Sequence, residues 1–133
     1  MASSLLSSGK KPSGFRPENT GNMRRVFIGL HVQALAAGAQ VDLSTRVLER
    51  FAFERFLLAS ATQACGVVNI KIGVKPMNVS NEPISGNAFS EASINNELSG
   101  YTASKNSDVT VTLINGTAAS VNTGGGFYGW SQL

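Results

Sequence analysis

Residues 67–75 read VVNIKIGVK, and the alternation in this stretch decides the fold class. Val68, Ile70, Ile72 and Val74 fall on one side, Asn69, Lys71, Gly73 and Lys75 on the other. Successive side chains of a strand point to opposite faces, so a period of two with β-branched residues on the apolar side predicts a half-buried strand. A helix would scatter the same four apolar residues around its axis. The strand is expected at the centre of an antiparallel all-β domain.

The second cleanest alternation is DVTVTLIN, 108–115, with Val109, Val111 and Leu113 inward and Thr110, Thr112 and Ile114 outward. Asn115-Gly116 follows, the strongest short hairpin signal in the chain, and predicts a return into 117–122. Upstream, Val26, Ile28, Leu30 and Val32 alternate with Phe27, Gly29, His31 and Gln33. Ala36-Ala37-Gly38 then reads as a turn into Ala39, Val41 and Leu43, so 26–44 is expected to be a hairpin. Residues 45–61, TRVLERFAFERFLLASA, carry both a helical composition and a strand-like alternation. Their neighbours favour a strand over 53–60. Pro, Asn, Ser and Gly crowd 76–87, which predicts a long loop or irregular edge, since Pro76 and Pro83 cannot donate to a ladder. Residues 89–98 read as a short strand or one helical turn, Tyr101 as a short piece, and Phe127 to Trp130, after the Gly124-Gly125-Gly126 run, as the last strand. Roughly eight short strands with regular turn signals predict an antiparallel β-sandwich or jelly roll.

The chain of 133 residues, 42% hydrophobic, suits one domain with one core. Only 14% of residues are charged, against about 25% in an average protein. Such a surface suits a protein that hides much of itself against neighbours. The net charge of +3 is unevenly placed: Lys10, Lys11, Arg16, Arg24 and Arg25 face only Glu18 before residue 26. The body beyond is close to neutral. Residues 1–24, rich in Ser, Gly and Pro and without apolar period, are therefore read as an extended basic arm, and residues 25–133 as the sandwich domain.

A lone cysteine, Cys65, allows no internal disulfide and fits assembly in a reducing cytoplasm. No secretory leader is expected in MASSLLSSGKKPSG, where the basic residues follow the only apolar pair. No apolar run approaches the roughly 20 residues of a membrane span, so no membrane partner is expected. Two sequons, Asn78-Val79-Ser80 and Asn115-Gly116-Thr117, are read as chance in an Asn/Ser/Thr-rich chain.

Catalysis needs convergent titratable groups, and this chain has one histidine, one cysteine and two aspartates. His31 lies mid-strand with no acidic or thiol residue at metal-ligand spacing, and reads as a surface or packed side chain. Cys65 reads as a small buried residue. Glu49, Glu54, Arg50 and Arg55 read as ion pairs, and the glycine run lacks the Lys-Ser or Lys-Thr of a phosphate loop. No enzyme activity, catalytic residue, metal or cofactor is expected. Strand alternation sets Tyr128 and Trp130 on one face and Phe127 on the other. The three are candidates either for the core or for an aromatic anchor at an interface, with a sugar-stacking platform as a further alternative. The arm carries one aromatic, Phe15, and no nucleic-acid motif, so a nucleic-acid partner is less expected than an acidic protein surface.

Taken in order, the basic arm, RRVFIGLHVQALAAGAQVDLS, ERFAFERFLLAS, VVNIKIGVKP, NAFSEA, DVTVTLINGTAAS and GGGFYGW resemble small bacteriophage virion proteins, single β-sandwich modules that decorate or cement capsids. The resemblance covers about residues 24–130 and rests on strand order and soft motifs; it departs at Val74-Lys75-Pro76, where a polar pair is expected after the glycine. It implies a structural protein at the capsid surface of a virion, assembled in the host cytoplasm. It also implies a homo-oligomer, a trimer at local three-fold positions, whose arm lies across the major capsid protein through Lys10, Lys11, Arg16, Arg24 and Arg25. Other virion roles are the alternatives: a head-fibre or tail adaptor, or a jelly-roll capsid subunit.

Overall fold

In a computed structural model that describes residues 23–91, 98 and 100–132, every strand pairs antiparallel. In chain order the strands are β1 (Met23–Gly29), β2 (Ala34–Leu35), β3 (Gln40–Arg46), β4 (Phe51–Leu58), β5 (Gly66–Ile72), β6 (Lys75–Pro76), β7 (Ile84–Ser85), β8 (Thr102–Ala103), β9 (Asp108–Ile114), β10 (Val121–Asn122) and β11 (Gly125–Gln132). Short 3-10 turns at Thr62–Ala64 and Gly86–Phe89 are the helical elements among the described residues. One sheet runs β1-β11-β4-β8 and the other β3-β9-β5-β6, with β7 also on β5; β2 and β10 form a separate ribbon. Numbering in sequence the eight strands on these two sheet paths, the sheets are ordered 1-8-3-6 and 2-7-4-5, the two interlocked Greek keys of a jelly roll. The all-β class is thus as expected from the alternation.

The core lies between the sheets. Phe53 and Phe56 from β4 and Phe127 from β11 meet there, with Phe53 edge-on to Phe127 at 5.2 Å and Phe56 stacked on it at 4.6 Å. Opposite them, Val109, Val111 and Leu113 of β9 are fully enclosed, as their inward alternation predicts. Each such side chain contributes about 1.5–3 kcal/mol of transfer free energy, so these six alone outweigh any ion pair on the surface.

Two bulges explain where the period of two misleads. In β5 the register with β9 slips between Val67 and Asn69, so Val68 is an extra residue. Val67 and Ile70 therefore face the core, 2% and 4% exposed, in place of the expected Val68 and Ile70 pair. In β4 the register with β11 passes from Tyr128↔Arg55 to Gly129↔Phe53, leaving Glu54 over. That flips the faces and puts Phe51, Phe53, Phe56 and Leu58 all inside. The mixed spacing of 45–61 is the trace of this bulge in the sequence. A strand does form there, at 51–58 and not 53–60.

Both expected hairpins fail, for reasons of topology. β1 pairs with β11, from Met23↔Gln132 to Gly29↔Gly126, and β3 pairs with β9, so 26–44 crosses from one sheet to the other. Val32, expected inside, is 67% exposed in that crossing. Asn115-Gly116 does not return the chain onto β9 either; β10 pairs with β2 across the end of the sandwich. Val74, also expected inside, is 91% exposed in the two-residue turn Gly73-Val74, where Gly73 takes a positive φ of 66°. The irregular edge expected at 76–87 is present, with Pro76 in the edge strand β6. The reading of 89–98 falls largely outside the described residues; Phe89 closes the second 3-10 turn.

Candidate interaction face

β1 starts at Met23, so Arg24 and Arg25, expected to belong to the arm, are strand residues fixed on the body. Arg24 pairs with Glu49, in the connection between β3 and β4. Arg25 lies opposite Trp130, and its guanidinium sits 5.0 Å from the indole centroid while reaching Glu54 at 3.0 Å. The bulge in β4 makes that second contact: Glu54, the extra residue, turns its carboxylate onto the outer face of the sheet, where its side chain is 18% exposed. A cation held between an aromatic face and a carboxylate on three adjacent strands is a rigid feature for a surface. Trp130 Nε1 is buried and has no acceptor among the described residues.

Two residues along, Phe27 lies opposite Tyr128, ring centroids 6.5 Å apart and tilted by 42°. Phe27 is 74% and Tyr128 41% exposed. The outer face of the β1-β11-β4 sheet thus presents two open aromatics beside an ordered Arg-Trp-Glu cluster. Tyr128 and Trp130 share that face as the alternation predicts. Phe127 does not join them: it is fully buried, so its candidacy as an interface aromatic gives way to the core alternative. Phe27 is the residue the candidate set lacked. Its signal was an aromatic on the polar side of an alternating strand. Glu54's outer position depends on the bulge and has no such signal.

Lys10, Lys11 and Arg16 lie outside the described residues. His31 is exposed. Cys65 is in the core, where loss of solvation raises its thiol above the ordinary value. Among the described residues no three His, Cys, Asp or Glu side chains gather as a metal site would require. No described helix is long and apolar enough to cross a membrane. The glycine run serves strand packing: at Gly125, φ 134°, a Cβ would strike the Leu57 carbonyl, and at Gly126 it would lie 2.6 Å from the Ile28 carbonyl. A groove of about 310 Å³ follows the outer edge of β1, walled by Val26, Phe27 and Ile28 on one side and Val47, Leu48 and Glu49 on the other.

Together these features define an all-β jelly-roll chain with an aromatic and arginine-bearing sheet face. Comparison with protein-family models, curated proteins and solved structures finds no match to this chain.

Proposed function

We propose that the chain is a non-enzymatic structural protein of a bacteriophage virion, a capsid decoration protein that binds across major capsid subunits and stabilises the shell. The observation that carries this reading is the exposed Phe27 and Tyr128 pair beside the Arg25–Trp130 stack. Phe, Tyr, Trp and Arg are the residues enriched at protein interfaces, and here they share one sheet face on a body with few charges. A protein that binds across subunit boundaries adds contacts that must break before subunits part. Support of a weaker, architectural kind comes from the jelly roll, which recurs in viral capsid and lectin domains. With Arg24 and Arg25 held on the body, the arm's part in gripping acidic capsid patches falls to Lys10, Lys11 and Arg16.

The test is co-sedimentation of the purified chain with shells of a major capsid protein. Saturable binding in proportion to the shell's repeating subunits is expected, weakened by Lys10→Ala with Lys11→Ala. Absence of binding to any shell counts against the reading. The strand order favours one second reading, a jelly-roll subunit within the shell itself. Electron microscopy separates the two by whether the chain sits on the shell or forms part of it. The sugar-platform alternative is weakened by Arg25, which occupies a face of Trp130.

A further inference from the structure

β3 is the outermost strand of the second sheet, with β9 on one side and no described strand on the other. Its register with β9 runs without a shift from Gln40↔Ile114 to Arg46↔Asp108. The same register carries on past both ends of the strand, where the Ala39 carbonyl accepts from Asn115 N–H at 2.8 Å and Val47 N–H donates to the Ser107 carbonyl at 2.9 Å. Backbone groups alternate sides along a strand, so the odd residues turn theirs to β9. The even residues Gln40, Asp42, Ser44 and Arg46 turn theirs to the open edge. All four are exposed, and among the described residues no hydrogen bond reaches their outward N–H and C=O groups. An edge of 7 residues with no proline, lysine or bulge is a template for one more strand.

We infer that the added strand is β3 of a second copy of this chain, paired antiparallel about a two-fold axis beside Ser44, so that the two β3-β9-β5-β6 sheets join into one. The charges on the edge select this occupant and this register. Asp42 and Arg46 stand on the same face of β3 with Ser44 midway between them. An axis at Ser44 sets Ser44 opposite the partner's Ser44, Asp42 opposite the partner's Arg46, and Arg46 opposite the partner's Asp42. All of these are even residues, whose backbone groups face the edge, so each pair exchanges two hydrogen bonds, about six in all. Moving the axis to Asp42 or to Arg46 would set like charges opposite each other, which is destabilising. Both charged groups have capacity to spare. Thr112 Oγ1 donates to Asp42 Oδ1 at 2.6 Å and Arg46 Nε donates to Asp108 Oδ1 at 3.4 Å, which leaves Asp42 Oδ2 and the Nη1 and Nη2 groups of Arg46 for the partner. Backbone parity and self-complementary charge thus coincide at one alignment, and a two-fold contact of this kind closes on itself. The inference does not depend on the virion reading: it uses the second sheet, leaves the aromatic face of the first open, and stands if no shell binds.

Sedimentation velocity on the full chain tests it. A contact of this size belongs to the small, reversible class, so a monomer–dimer equilibrium with a Kd between about 1 μM and 1 mM is expected. Asp42→Arg sets arginine against arginine in both outer pairs, and Arg46→Asp sets aspartate against aspartate, so each variant alone should dimerise at least about tenfold more weakly than the parent. Mixed, the two variants restore opposite charge in both pairs and should form a heterodimer within about threefold of the parent affinity. Ser44→Pro removes an N–H that faces the edge and none that faces β9, so it should abolish dimerisation while the chain still unfolds cooperatively. Asp42 and Arg46 are exposed, so the mixing experiment decides even where Ser44→Pro fails to fold. A parent chain that stays monomeric up to about 1 mM overturns the inference. So do charge variants that dimerise alone as tightly as the parent, a mixture that does not associate, or a dimer that survives Ser44→Pro, which would place the contact on another face.

Discussion

Asn78 and Asn115 build the same clasp at two places far apart in the chain. Asn78 Oδ1 accepts from Ser80 N–H at 3.0 Å and from Ser80 Oγ at 2.8 Å, while its Nδ2 donates to the carbonyls of Val68 and Glu82, both at 2.8 Å. Asn115 Oδ1 accepts from Thr117 N–H at 3.0 Å and Oγ1 at 2.7 Å, and its Nδ2 donates to the carbonyls of Leu35 at 2.9 Å and Ala119 at 2.8 Å. An asparagine followed two residues on by a hydroxyl is what this loop geometry needs, and it is also a sequon. The resemblance to a glycosylation acceptor is therefore a by-product of folding, with both amides committed to backbone carbonyls. The clasps differ in burial: Asn115 is fully enclosed and Asn78 is not. Asn115→Ala strands buried carbonyls and should cost about 2–3 kcal/mol in urea unfolding, against about 1 kcal/mol for Asn78→Ala, where water can replace the lost donor. Equal costs would show that burial is not what sets them. Cys65 gives a second residue-scale prediction. Its thiol is raised by burial, so the folded state favours the protonated form. The linked stability is fully present below the unfolded thiol's titration and declines as pH rises through it toward the folded value. At neutral pH the thiol should react with maleimide only on the timescale of unfolding, and Cys65→Ala should flatten the alkaline fall in stability.

Elements were legible where a strand alternates without interruption. Val109, Val111 and Leu113 of β9 showed their faces in the sequence because β9 carries no bulge of its own and both its partners, β3 and β5, cover it along its length. β4 and β5 were only half legible, since a single inserted residue in each reverses the period and leaves only a mixed spacing in the sequence. Hairpins were misread because a turn signal reports a local bend, whereas a jelly roll sends successive strands to opposite sheets. The bulge in β4 makes a sharp prediction at this scale. Glu54→Ala removes only a partly exposed ion pair and should cost less than about 1 kcal/mol. Deleting Glu54 removes the bulge and leaves Phe51, Phe53, Phe56 and Leu58 at an unbroken period of two on one face, so that chain should keep a cooperative unfolding transition while losing the Arg25–Glu54 contact. Gly129 tests the same strand contact from the other side. A Cβ there would strike the Ala52 carbonyl and the Phe51 ring, while one at Gly29 meets nothing within 4 Å. Gly129→Ala should thus lower the thermal midpoint by several degrees, as expected for a loss of about 1–3 kcal/mol, and Gly29→Ala should leave it nearly unchanged.

At the scale of the molecule, the question is what the outer face of the β1-β11-β4 sheet is for, since nothing in the fold needs it to be aromatic. The sequence showed Tyr128 and Trp130 sharing a side but not what flanked them, because β1 and β11 are the first and last described strands and meet only in the finished sheet. Arg25 lies over Trp130 and is held there by Glu54, so that ring is committed to the body, while Phe27 and Tyr128 make few contacts that folding would miss. Substituting both by Ser should therefore leave the free energy of unfolding within about 0.5 kcal/mol of the parent, the usual range for exposed positions. If the face docks on a shell, the same double substitution removes the central apolar contact of that interface and should weaken co-sedimentation by at least about tenfold, an interfacial loss of 1.4 kcal/mol or more. Trp130→Ala should do the opposite in kind, releasing Arg25 and Glu54 and costing stability before it costs binding. A Phe27 and Tyr128 double variant that binds shells as tightly as the parent would move the docking role off this face and onto the basic arm.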